Sequence, residues 1–184
     1  RLVQPSDSDP IRLKEAEIKL LNLSSNQGFK PFELSPAAPL GTSSIYGQVH
    51  QNNILSALRN TEFVSDPSNI LALHLVELWL KSERPHILRA CASHRCVRTA
   101  YVKEPHLKSH FQLFSCTSLI HSEDALELSK ELMRHINLYE NIYQNFGHSQ
   151  HRLKLIPYKG SPRLYQTVQE SLEKDYSQNL LIED

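Results

Sequence analysis

The chain has 184 residues, with 20 Lys and Arg balanced by 20 Asp and Glu. That length can bury a sizeable core and fits a single α/β domain, 1–184, while zero formal charge gives no net pull toward a phosphate backbone, so a nucleic-acid role needs a local patch. No run of about 18 apolar residues is present to cross a bilayer, and three cysteines exclude a complete set of intrachain disulfides.

The first predicted element is a helix over residues 11–21, with Asp9 as its cap, Pro10 in its first turn and Gly28 suited to its stop. Ile11, Ile18 and Leu21, with Leu13 and Leu20 beside them, make its apolar stripe. Residues 29–34 read as a short strand, placed at an edge because Pro31 has no amide proton to donate. Residues 35–48, rich in Pro, Gly, Ser and Thr, read as a long loop. Residues 61–64 form a short strand or turn, and residues 68–80 carry so few charges that they predict a largely buried helix anchored by Trp79.

Two strands follow, over residues 87–98 and 108–116, joined by a polar connection that contains Pro105. Phe111 and Leu113 alternate with His110 and Gln112, the period of a sheet with one apolar and one polar face. Arg98 and His110 are candidates for a common cleft, or else polar strand residues facing water. Ser122 is placed to cap a helix running to about Phe146, with Leu126, Met133, Ile136, Tyr139, Ile142 and Tyr143 on its apolar side. A strand at residues 153–156, a turn at Gly160, Ser161 and Pro162, and a solvated helix over residues 165–176 complete the chain.

The ten histidines are scattered, and only His148 and His151 lie close in sequence, so no metal site is expected. Cys91, Cys96 and Cys116 fall on or beside the paired strands and are expected to pack as small hydrophobes in a reducing, intracellular compartment. The chain starts at Arg1 with no basic and apolar leader, and it is expected to be processed or to be the ordered part of something longer.

Several local strings, in order, resemble the catalytic domain of class II aminoacyl-tRNA synthetases, and the seryl enzymes most closely. The stretch from Glu15 to Pro36, including Gly28-Phe29 and Leu34-Ser35-Pro36, resembles the family's helix followed by a Gly-aromatic strand leading to Pro. Thr61-Glu62 resembles its amino-acid-binding Thr-x-Glu element, shortened by one residue. Cys96-Val97-Arg98-Thr99-Ala100 resembles the motif 2 strand Cys-Phe-Arg-x-Glu, and His110-Phe111-Gln112 resembles the returning strand of the seryl enzymes. The resemblance spans roughly residues 12–160 and implies a mixed, mainly antiparallel sheet flanked by helices. It also implies a residual nucleotide or amino-acid pocket at Arg98, His110, Thr61 and Glu62.

The departures matter for the chemistry. Ala100 stands where the motif has a glutamate, Ser115 and Cys116 stand where an acid is expected, and the glycine-rich third motif has no counterpart among five isolated glycines. Amino-acid activation needs charge stabilised on the α-phosphate while both substrates are held in register. With that constellation reduced, the resemblance implies no catalytic residues and no cofactor. It points to a noncatalytic paralogue of the kind seen in the seryl-tRNA synthetase-like insect mitochondrial proteins, pairing with a synthetase such as the mitochondrial seryl enzyme and touching tRNA only indirectly. Mitochondrial location is expected from the same resemblance. One alternative is an ATP-dependent synthetase fragment using ATP and Mg²⁺. Another is a nucleic-acid-associated regulatory protein using basic residues at Arg84, Arg89, Arg95, Arg98, Lys103 and Lys108.

Overall fold

The computed structural model describes residues 5–47, 49–98, 108–148, 153–156, 162–176 and 180–182. The chain forms two compact units, Arg1–Leu119 and Ile120–Asp184.

The first unit opens with helix α1 (Pro10–Ser25), where Asp9 Oδ1 accepts the amides of Ile11 at 2.9 Å and Arg12 at 3.0 Å. Its apolar stripe divides in two. Leu13, Glu17, Leu20 and Ser24 recur at helical spacing on the inward side, whereas Ile11 and Ile18 remain 69% and 60% exposed. Positions 11 and 13 lie about 200° apart around a helix, so one stripe cannot hold both. After the helix, Gly28 takes φ +87°, a conformation that favours glycine, and turns the chain into the sheet.

Strand β1 (Lys30–Pro31) lies at the edge of a sheet ordered β1-β4-β5, parallel to β4 (Ile87–Val97), and Pro31 occupies the edge its missing donor requires. The longer pairing is that of β4 with β5 (His110–Ile120). Just beyond their ends Arg98 N donates to Ser109 O at 2.7 Å, which fixes an antiparallel register. β5 runs four residues past the predicted end, through Thr117, Ser118, Leu119 and Ile120, as the neighbour of the eleven-residue β4 in the sheet.

The segment predicted as a long loop contains strand β2 (Ala37–Pro39) and the short helix α2 (Thr42–Tyr46). β2 pairs antiparallel with β3 (Thr61–Phe63), Ala38 opposite Glu62. Helix α3 (Pro67–Lys81) is capped by Asp66, and its Leu71 and Leu75 pack on Ala90 and Ala92 of β4 with Phe32, Leu34, Leu88 and Leu119 around them. Ala38, Val64 and Cys96 form a second cluster with Ile70, Phe111 and Leu113. Trp79 is half-buried: its indole N–H donates to Pro85 O and Arg84 lies over its ring.

In the second unit, α4 (Ala125–Asn145) packs on α5 (Pro162–Tyr176), burying Leu138 and Ile142 with Val168 and Leu172. The cap of α4 is Asp124, whose carboxylate accepts Leu126 N, while the expected cap Ser122 instead accepts the amide of Asp124. Leu126, Tyr139 and Tyr143 are exposed; of the predicted apolar side only Ile142 is fully inside. β6 (Leu153–Leu155) pairs in parallel with β7 (Leu180–Ile182). Among the described residues no helix is long and apolar enough to cross a membrane.

Candidate functional site

Arg98 leaves β4 on the side that faces α3. Its Nε donates to Ser65 O at 3.1 Å, its Nη2 lies 3.7 Å from Asp66 Oδ2, and its guanidinium stacks over the Phe111 ring at 4.9 Å. It opens onto a cavity of about 310 Å³ whose other walls include Asn53, Ser65, Asp66 and Asn69. Gly47 closes one side: a Cβ there would stand 2.8 Å from Ser43 O and 3.1 Å from Asn69 Nδ2, so only glycine fits without a backbone shift.

Thr61 and Glu62 do not join that cavity. Thr61 gives its hydroxyl to Leu58 O. Glu62 is fully buried, and its carboxylate accepts Gly41 N and Ser43 N at 2.8 Å each and Gln51 Nε2 at 2.9 Å. Burial pushes this carboxyl up, but the hydrogen bonds from Gln51, Ser43 and Gly41 outweigh it and hold it below the usual carboxylate range. Glu62 thus pins the turn before α2 and the short 3₁₀ segment Gln51–Asn53 to β3. The alternation Thr61-Glu62-Phe63-Val64 carried a signal for this: it sets Glu62 on the same side as Val64, a core residue.

His110 lies on the opposite face of the hairpin from Arg98. Its Nδ1 is 3.0 Å from Arg95 Nη1, and Gln112 Nε2 donates to Ser93 Oγ on that same side. Successive strand residues alternate faces, so Arg95 and Arg98, three apart, cannot share one. The four predicted site residues therefore fall in three places: Arg98 at its cavity, Thr61 and Glu62 at β3, and His110 across the sheet. Ala100, Lys103, Pro105 and His151, with Gly160 and Ser161, lie outside the described residues.

On the His110 face, stepping seven residues along each strand from the Arg98–Ser109 bond puts Cys91 opposite Cys116. Cys91 Sγ reaches Phe29 O at 4.0 Å and Cys116 Sγ reaches Ser24 Oγ at 3.8 Å; the neighbouring Cys116 thiol, with help from Ser24 against the effect of burial, brings Cys91 down, and Cys91 together with burial pushes Cys116 up. Cys96, on the Arg98 face, is pushed up to about 12 by burial and by Asp66, partly offset by Arg98. All three are free thiols. Among the described residues no group of three or more His, Cys, Asp or Glu side chains could hold a metal ion.

This arrangement of sheet, hairpin and helices recurs in solved structures. The RNA-binding domain of threonyl-tRNA synthetase from Cryptosporidium parvum superposes with a TM-score of 0.72 at 12% identity, covering 94% of this chain and 46% of that one. The fold is class II synthetase-like. Pyrrolysyl-tRNA synthetase from Desulfitobacterium hafniense gives 0.61 at 18% identity over 77% of this chain and 49% of that one. An ATP phosphoribosyltransferase regulatory subunit/histidyl-tRNA synthetase from Bacillus halodurans gives 0.54 at 17% over 76% and 37%. The chain spans less than half the length of each. No family model and no curated protein matches the sequence. At such identities the likeness is one of fold, which hosts more than one activity.

Proposed function

We propose that this chain is a noncatalytic synthetase-like module, related to the seryl branch, that acts by pairing with a partner synthetase such as a mitochondrial seryl-tRNA synthetase. The observation that carries this reading is Glu62. The acid of the Thr61-Glu62 element, expected to meet an amino-acid ammonium group, is fully buried with three donors already on it, and it serves the fold instead of a cleft.

Two further features support it. Asp66 stands beside Arg98, so a phosphate brought to that guanidinium would also meet a carboxylate. On α1, Ile11 and Ile18 present an exposed apolar pair of the kind a partner helix covers. One structural neighbour is described as an ATP phosphoribosyltransferase regulatory subunit/histidyl-tRNA synthetase, which supports a use of this fold beyond one activity.

Calorimetric titration with ATP and Mg²⁺, with and without serine, tests the loss of chemistry. A folded chain that takes up no ATP agrees with the proposal; binding that disappears in Arg98→Ala would restore the ATP-dependent fragment reading. Sedimentation of the chain mixed with mitochondrial seryl-tRNA synthetase tests the pairing, and Ile11→Glu with Ile18→Glu should abolish a complex that forms through α1.

A further inference from the structure

We infer that the cleft on the His110 face of the β4–β5 hairpin is a binding site for a phosphate group. The cleft has a volume of about 300 Å³ and is lined by Ser6, Ser8, Arg95, Lys108, His110 and Gln112 among others. That volume is at the small end of ligand pockets, enough for a phosphate with a modest ester substituent.

The charges favour an anion. A guanidinium has no lone pair to accept with, so in the Arg95–His110 contact the ring nitrogen Nδ1 is the acceptor. Arg95 is exposed and makes that hydrogen bond to a ring nitrogen and not to a carboxylate, leaving its positive charge to the cleft. Lys108, largely covered, faces Asp7 at 3.1 Å, but Asp7 is 79% exposed, so solvent screens it and a multivalent anion can displace it. Two cations thus stand against one weakly held acid.

The donors also converge from three directions. Arg95 comes from β4, Gln112 from β5, Lys108 from two residues before that strand, and Ser6 and Ser8 from the segment ahead of α1. Their hydroxyls are already turned toward each other, Ser6 Oγ to Ser8 Oγ at 3.1 Å, with Ser8 N on Ser6 Oγ at 3.2 Å. A phosphate, with several acceptor oxygens arranged around one centre, can take a forked arginine, a lysine and hydroxyl donors together, which a flat carboxylate does less well. Of the six basic residues that the sequence offers as a patch, Arg95 and Lys108 meet here, and Arg98 serves the other face. The inference is independent of whether the Arg98 cavity holds a nucleotide.

The test is titration of the whole chain at low salt with inorganic phosphate, with adenosine monophosphate and with a short single-stranded RNA, followed by calorimetry and by the His110 ring resonances. At least one of the three should bind and shift those resonances. Arg95→Gln and Lys108→Gln should each weaken the binding by about tenfold, Lys108→Arg should keep it, and Arg98→Ala should leave it in place. Tighter binding of the monophosphate assigns a nucleotide. Tighter binding of RNA with a steep fall in rising salt assigns a backbone phosphate. Binding to none of the three by folded protein overturns the inference, as does binding lost in Arg98→Ala and kept in Arg95→Gln, which would move the anion to the other face.

Discussion

Glu62 keeps its charge where water does not reach it, and the amides of Gly41 and Ser43 point at it from a turn some twenty residues away. Removing it strands those donors, so Glu62→Ala is expected to cost about 1–3 kcal/mol in urea unfolding, and Glu62→Gln less, because the amide oxygen still accepts. The same carboxylate sets an acid limit. Its folded value lies below the ordinary 4.5, so its contribution is full above that value and is lost as pH falls through the folded one. His94 acts in the same direction from higher pH. Burial, opposed by Glu33, holds the ring below 6.5, so the unfolded chain takes up the proton first and stability declines as pH drops below about 6.5. Unfolding free energies measured at pH 7.5, 5.5 and 4 should fall in two stages. His94→Leu should flatten the first and Glu62→Gln the second; a decline untouched by either variant would place the titrating groups elsewhere. The sequence carried half of this. The alternation around Glu62 shows on which side of β3 it lies, but nothing in that string names Gly41, Ser43 or Gln51 as its partners.

Elements with their own local signals were legible. Asp9-Pro10 marks the start of α1 in both sequence and structure, and the weakly charged run after Ser68 became α3. α2 and β2 were not legible, since five residues show no helical period and three show no alternation. They exist because β3 pairs with Pro39, Ala38 and Ala37 and because Glu62 receives the turn that follows. β5 shows the same dependence on a distant partner in its last four residues. Asp66 separates local capping from long-range charge. Its Oδ1 accepts Ser68 N at 3.0 Å and Ser68 Oγ at 2.7 Å, while its Oδ2 faces the half-exposed Arg98 at 3.7 Å. An exposed ion pair is worth at most about 1 kcal/mol, and a helix cap typically about as much or more. Asp66→Ala should therefore lower stability by about 1–2 kcal/mol and Asp66→Asn by much less, since asparagine still caps. Equal losses in the two variants would mean that the charge, not the cap, carries the effect.

At the scale of the molecule, the core of the first unit is read through its thiols. Cys96 is fully buried beside Ala38 and Val64, and its thiol is held at about 12, so in the folded chain it offers almost no thiolate to an alkylating reagent. Unfolding returns it to the ordinary range and to solvent together. Its labelling rate under native conditions thus measures how often the structure around it opens. Leu71, fully buried, packs on Ala90 and Ala92 of the same strand that carries Cys96. Cutting it to alanine removes a core side chain, a change that costs about 3 kcal/mol. If Cys96 becomes reactive only when that core gives way, Leu71→Ala should speed its alkylation at pH 7.5 by about a hundredfold, one factor of ten for each 1.4 kcal/mol lost. An unchanged rate would show that Cys96 is reached by a local opening of the hairpin end near Arg98, with the α3 core still closed. Mass spectrometry of the labelled peptides tells the two apart, because Cys91, which faces α1 and Ser24 on the other side of β4, should follow Cys96 in the first case and lag behind it in the second.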